Sequence, residues 1–252
     1  STEFQTARAR DGHDAEGTTR RFVQQLLAQA FGHADLAAGQ RHELTGREYP
    51  ITLQAQSGLV PMIVAAHDEA LDERQPRFAD GNRRRSAFGL LQEYLNASDA
   101  CLWGVACNGF ALRVARDNAS LTRPAWLEVD LERLFAEDRY ADFSVLWLFL
   151  HASRFGRAGQ PPQDAPLEAW RNAAREEGTR ARDALRDGVE AALAALGQGF
   201  LSHPANAELR QALAAGRLDA AGYFNQLLRL VYRLIFLLTV EERGLLHPPG
   251  AD

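Results

Sequence analysis

Between Phe88 and Val114 the apolar period of the chain switches once, from helical to extended, and no other stretch constrains the fold as much. Phe88, Leu91, Tyr94 and Leu95 recur at steps of three and four, which predicts a helix with one buried face ending near Asn96. Trp103, Val105 and Cys107 then alternate. Asn108-Gly109 follows, the dipeptide favoured in a type I′ hairpin turn because both central residues take positive φ. Phe110, Leu112 and Val114 carry the alternation down a return strand, with Arg113 on the opposite face. The stretch from Leu91 to Arg116 is therefore expected to form the end of a helix, a strand, a tight turn and a second strand.

Upstream, Ser1 to His13 has little apolar content and no signal-peptide core, so residues 1–13 are expected to be a disordered lead. Thr18 or Thr19 is a plausible N-cap for an amphipathic helix through Phe22, Val23, Leu26, Leu27, Ala30 and Phe31. Tyr49 to Gln54 and Leu59 to Ala66 are expected strands joined by Gln56-Ser57-Gly58. Asp68 to Arg85 is expected to be a charged loop. Downstream, Leu127, Val129 and Leu131 alternate as the inward face of another strand, with Trp126, Glu128 and Asp130 outward.

Beyond that strand the pattern becomes helical. Asp138 to Arg154 is apolar nearly all round and is expected to be a central buried helix, with His151 and Arg154 at its polar end. Leu167 to Leu196 predicts one long helix or two with a salt-bridged face, ended by Gly197, Gly199 and His203-Pro204. Asn206 is expected to cap a short helix to Ala215, and Asp219 the last one. That last helix, Tyr223 to Arg243, is interrupted by Arg229 and Arg233 and is expected in the core rather than in a bilayer, which needs about 20 apolar residues. The sequence thus predicts an α/β (α+β) fold: an α/β subdomain over 14–130, with a small mixed sheet and flanking helices, then a helical bundle over 131–252. Pro248-Pro249-Gly250 is expected to begin a linker.

Net charge is −5, so any nucleic-acid surface must be local. The sequence contains no lysine, and all 28 basic residues are arginine. That rules out, within this chain, a Walker A lysine, a Schiff-base lysine and the lysine of a Mg-dependent nuclease. The densest positive charge is Arg83-Arg84-Arg85. Cys101 and Cys107, roughly 20 Å apart if on one strand, are too distant to bridge and are expected to be buried free thiols in a reducing cytoplasm. The seven histidines and two cysteines show no zinc spacing, and His151 is expected to be a packing residue. Asn96 and Asn108 are expected to serve a helix end and a turn. No catalytic or metal-ligating residue is assigned.

The segments LQEYLN, LWGVACNGFALRVARDNASLTRPAWLEVDLERLF, YADFSVLWLFLHASRFG, LRDGVEAALAALGQGFL and LLRLVYRLIFLLTVEERGLLHP, in that order, resemble a known arrangement. It is similar to the N-terminal region of large bacterial adenine-N6 DNA methyltransferases of type IIG restriction-modification and DISARM-type phage-defence systems. The resemblance covers roughly Arg83 to Pro248. It implies that a methyltransferase domain, with its S-adenosylmethionine loop and catalytic motif, follows the region seen here. This chain itself would then need no cofactor.

The resemblance also implies a nuclease-like core with an Asp and a Glu-x-Lys triplet on adjacent strands, matching Tyr49 to Gln54 and Leu59 to Ala66. This sequence has Ala65-Ala66-His67-Asp68 there instead, so the expectation is a nuclease-like fold that does not cleave. The implied partners are double-stranded DNA, the chain's own C-terminal methyltransferase domain and other defence subunits, in the cytoplasm with no membrane. Arg83, Arg84, Arg85, Arg113 and Arg116 are the candidate phosphate contacts, because arginine forks suit phosphate oxygens. Two alternatives stay open: an active endonuclease built from Glu43, Glu48 and Asp68, and a pure interaction module that docks the methyltransferase.

Overall fold

The computed structural model describes residues 2–10, 14–117 and 125–246. Pro248-Pro249-Gly250, the expected linker, lies outside them. The chain divides into two compact units, Ser1–Asn172 and Ala173–Asp252, so the expected boundary after residue 130 moves to 172. The helices that immediately follow the last strand have apolar faces matching a sheet face, and they fold onto it.

In the first unit, α1 (Thr2–Arg10) precedes α2 (Ala15–Ala30). The lead expected to be disordered is thus largely helical, anchored by buried Phe4, whose ring stacks on Phe22 at 4.3 Å. Asp14, not Thr18 or Thr19, caps α2 by accepting from Gly17 N at 2.9 Å. Both threonines are buried inside the helix. β1 (Ala37–Ala38), β2 (Arg41–Leu44), β3 (Arg47–Pro50), β4 (Leu53–Ala55) and β5 (Val60–Val64) follow. β6 (Arg74–Asp80) and β7 (Arg83–Ser86) form an antiparallel ribbon where a charged loop was expected. The many charged side chains of β6 and β7 hid a strand pair whose inward contributions are only Phe78 and Arg85.

Ser86 caps α3 (Ala87–Ala97) through a bond from Gly89 N at 3.0 Å. β8 (Trp103–Cys107), β9 (Ala111–Arg116), β10 (Trp126–Asp130), α4 (Leu131–Ala136) and α5 (Tyr140–Leu150) complete the unit, and α6 (Pro166–Ser202) begins in it. The fold is mixed α/β, as the sequence implied. Six strands form one sheet in the order β1-β4-β5-β8-β9-β10, antiparallel except for the β5–β8 pair, which α3 connects as a crossover.

Strand alternation loads both sheet faces. Val60, Met62, Val105, Leu112 and Val114 face a core shared with Val23 and Leu27 of α2, Leu134 of α4 and Leu146 of α5. Ile63, Ala106 and Ala115 face Leu91, Tyr94 and Leu95 of α3, with Tyr49 and Phe78 from the two ribbons. Each fully buried leucine contributes about 1.5–3 kcal/mol relative to exposure. Gly104 lets α3 approach the sheet: a Cβ there would lie 2.7 Å from Leu91 Cδ1 and 2.9 Å from Pro61 O.

The β8–β9 hairpin forms as expected, but the turn is different. Asn108 N bonds Ala111 O at 3.1 Å, so Gly109-Phe110 is the central pair and only Gly109 has positive φ, at 86°. Asn108 instead accepts from Phe110 N and Ala111 N through Oδ1 and donates to Glu69 O. Cys101 precedes β8 rather than sharing a strand with Cys107; both are buried and free. α5 is not the central buried helix expected. Leu146 and Leu150 are buried while Tyr140, Val145 and Leu148 are exposed.

The second unit is helical: α6 continues from Ala173 as one helix to Ser202, past Gly197 and Gly199, and is followed by α7 (Ala207–Ala214) and α8 (Ala220–Glu242). Asp219 caps α8, as expected, by accepting from Gly222 N at 2.7 Å. Asn206 precedes α7, but its amide donates to Phe200 O instead of capping. Tyr223 Oη donates to Gly197 O at 2.8 Å where α8 meets α6. α8 was expected in the core, yet only Leu227 and Val231 are buried, and Tyr232, Phe236 and Leu238 are largely exposed. It is also the one helix, among the described residues, long and apolar enough to cross a membrane.

Candidate nucleic-acid interface

The five arginines singled out from the sequence separate into three environments. Arg83 and Arg85 point to one side of β7, as residues two apart on a strand do, and Arg84 to the other. Arg83 Nη2 lies 2.8 Å from Glu93 Oε1 on α3 and is well exposed. Arg85 is buried and structural. Its Nε donates to Phe78 O at 2.7 Å, its Nη2 to Glu48 O at 2.6 Å, and its Cζ lies 5.2 Å from the Tyr49 ring centre. It ties β7 to β6 and to β3, and its side chain is buried by the same contacts.

Arg113 is held by carboxylates of its own unit. Its two Nη atoms hold Asp72 Oδ1 and Oδ2 at 2.7 and 2.8 Å, its Nε holds Glu128, and its guanidinium sits against the Phe88 and Trp126 rings. The bonds and charge of Arg113 outweigh burial and pull the Asp72 pKa below its ordinary value. Arg116 Nε and Nη2 hold Glu168 Oε1 and Oε2 at 2.6 and 2.9 Å, and Trp103 Nε1 donates to the same Oε1 at 2.9 Å. Both arginines neutralise partners from their own fold and leave little charge for a ligand.

What remains is a small basic cluster. Arg47 Nη1 approaches Glu93 Oε2 at 3.9 Å, and Arg85 Nη1 approaches the same oxygen at 3.7 Å. Three guanidiniums thus share the Glu93 carboxylate, and two of them, Arg47 and Arg83, are at least half exposed. Arg47 was missed in the sequence because it lies 36 residues before Arg83; only the packing of the two ribbons on α3 brings them together. Arg84 is exposed on the ribbon's other side.

The acidic residues of the endonuclease alternative do not assemble. Glu43 and Glu48 face each other across β2 and β3, Glu48 Oε2 lies 2.5 Å from Arg41 Nη1, and Asp68 sits in the turn after β5. Among the described residues no three metal-ligating side chains come together. Where the resemblance expects a metal ligand, Ala65 and Ala66 are buried, and Glu69 accepts from Ala66 N at 3.0 Å and pairs with Arg77. His151 lies on the Trp147 ring, 4.4 Å between centroids, with Nδ1 2.9 Å from Ser153 Oγ.

Set against known protein families, curated proteins and solved structures, the chain matches none.

Proposed function

We propose that the chain is the N-terminal accessory region of a bacterial adenine-N6 DNA methyltransferase of the restriction-modification or phage-defence kind, and that it engages duplex DNA without cutting it. The ordered segments from Leu91 to Pro248 support the family reading. One observation supports DNA engagement: the exposed Arg47 and Arg83, one on each ribbon, share the single carboxylate of Glu93 with the buried Arg85, which leaves excess positive charge at the surface of a chain whose net charge is −5. Guanidiniums in that state gain by pairing with phosphate oxygens. In this reading S-adenosylmethionine binds a downstream domain and the protein acts in the cytoplasm.

The test is fluorescence anisotropy of a labelled mixed-sequence duplex at two salt concentrations. Binding that weakens with salt is expected, with Arg47→Ala and Arg83→Ala each lowering affinity and flattening the salt slope by about one ion. Absence of binding at low salt, or equal binding by both variants, sinks the reading. The interaction-module alternative draws support from a separate feature, the exposed apolar surface beside β10.

A further inference from the structure

Among the described residues, β10 closes one end of the six-stranded sheet and has β9 as its single strand neighbour. Leu131 N bonds Phe110 O, and the β9–β10 register carries that phase back, so Val129 and Leu127 also direct their main-chain groups to β9. The N–H and C=O groups of Trp126 and Glu128 therefore point away from the sheet, as does the N–H of Asp130. An open edge of this kind is a template for another strand.

The two sides of that edge differ in chemistry. On one side Leu127 and Val129 border a groove of about 330 Å³ that Leu134 of α4 and Val145 and Leu146 of α5 also line, with Arg133, Arg139 and Asp142 as its charged members. Leu127 and Val145 are exposed apolar residues there. On the other side Trp126, Glu128 and Asp130 share a face with Asp72, and the one guanidinium between Asp72 and Glu128, that of Arg113, is itself largely covered. Among the described residues Asp72 and Glu128 share one guanidinium and Asp130 accepts only a main-chain N–H, that of Arg133 at 2.9 Å, so this side is acidic.

We propose that β10 is a docking site for an extended segment of another protein in which apolar and basic residues alternate. The segment adds a seventh strand. Its apolar side chains enter the groove beside Leu127 and Val129, and its basic side chains stand opposite Glu128 and Asp130. Charge complementarity to Glu128 and Asp130 selects this occupant, and antiparallel self-pairing centred on Glu128 would set that carboxylate against its own copy, a like-charge pair. The proposal does not depend on DNA binding.

The geometry sets the test. With the segment antiparallel to β10, a residue opposite Glu128 turns its own N–H toward β10, so in a peptide alternating Val and Arg it is the arginine amides that bond the edge and the valine amides that face away. A fluorescein-labelled nine-residue Val/Arg peptide should bind at least tenfold tighter than an isomer of the same composition with the valines and arginines in blocks. N-methylation of its arginine amides should abolish binding, and N-methylation of its valine amides should change it less than threefold. Val145→Asp, at an exposed position that folding tolerates, should weaken binding at least tenfold with an unchanged circular dichroism spectrum. Equal binding of the blocked isomer, equal effects of the two methylation patterns, or an unaffected Val145→Asp variant overturns the proposal. So does a concentration-dependent dimer that Val145→Asp dissolves, which would make a second copy the occupant.

Discussion

Arg116 grips Glu168 with both arms of its guanidinium, Nε to Oε1 at 2.6 Å and Nη2 to Oε2 at 2.9 Å, and so ties β9 to the first turn of α6. Burial by itself raises the Glu168 pKa, but the hydrogen bonds and charge of Arg116, with help from Trp103 and Arg171, outweigh it and hold the group below its ordinary 4.5. A folded-state pKa below the unfolded one stabilises the fold above the unfolded value, and the stability is lost as pH falls through the folded value. Glu168→Ala should lower urea stability at pH 7 by about 2–4 kcal/mol, because it leaves the Arg116 charge and the Trp103 N–H without their acceptor. The difference from wild type should shrink as pH drops below 4.5.

Arg85→Ala should behave as a folding variant. It removes a guanidinium that satisfies the Phe78 and Glu48 carbonyls, at a cost of about 2–4 kcal/mol. Arg83→Ala, at an exposed position, should cost less than about 1 kcal/mol. Chemical denaturation of the two single variants separates them. A triple Arg83/Arg84/Arg85 alanine variant would confuse lost structure with lost DNA contact.

His33 gives a second acid sensitivity. It is fully buried, with Nε2 2.9 Å from Leu150 O and Nδ1 without a partner among the described residues. Burial lowers its pKa from 6.5, against the raising effects of the Leu150 carbonyl and Asp35, while His151 lowers it further. The unfolded chain therefore binds a proton below pH 6.5 that the folded one resists. Stability should be full above that pH and decline below it, by at most about 1.4 kcal/mol per pH unit from this group. Urea midpoints at pH 7.5 and 5.5 should differ in the wild type, and His33→Leu should reduce the difference.

Gly109→Ala tests the turn and the first helix together. The residue holds φ of 86°, and a Cβ would lie 2.7 Å from Phe4 Cζ. Destabilisation of about 1–2 kcal/mol is expected. Limited proteolysis should show faster cleavage in α1, because the displaced ring is what anchors that helix. Unchanged stability would mean that Phe4 does not pack there.

Both thiols should be slow. Cys107 is fully buried and its pKa is pushed up to about 12, and burial raises that of Cys101 as well. An aromatic disulfide reagent at pH 8 should titrate neither in the native protein and both within minutes in denaturant. Rapid native reaction at either position would contradict its burial.

Period and local chemistry were legible in the sequence wherever one residue decides a conformation. The helix through Phe88, Leu91, Tyr94 and Leu95, the alternating strands around Asn108-Gly109, and the Asp219 cap follow from side-chain spacing and turn preference, and the mixed α/β class follows from them. Partners distant in sequence were not legible. The β6–β7 ribbon looked like a charged loop because its inward residues include an arginine, and burial of Arg85 depends on carbonyls of Phe78 and Glu48. Composition cannot tell an arginine that closes a fold from one that waits for a phosphate. Arg113 and Arg116 became structural when Asp72, Glu128 and Glu168 arrived beside them, and Arg47 joined Arg83 through Glu93. The sequence by itself determined which residues are apolar, where the β8–β9 hairpin turns and that Asp219 caps α8; the central pair of that turn and the cap of α2 differed from what spacing implied. Tertiary packing alone decided which charges are neutralised and which edge is left open, because electrostatic pairing depends on distance in space rather than along the chain.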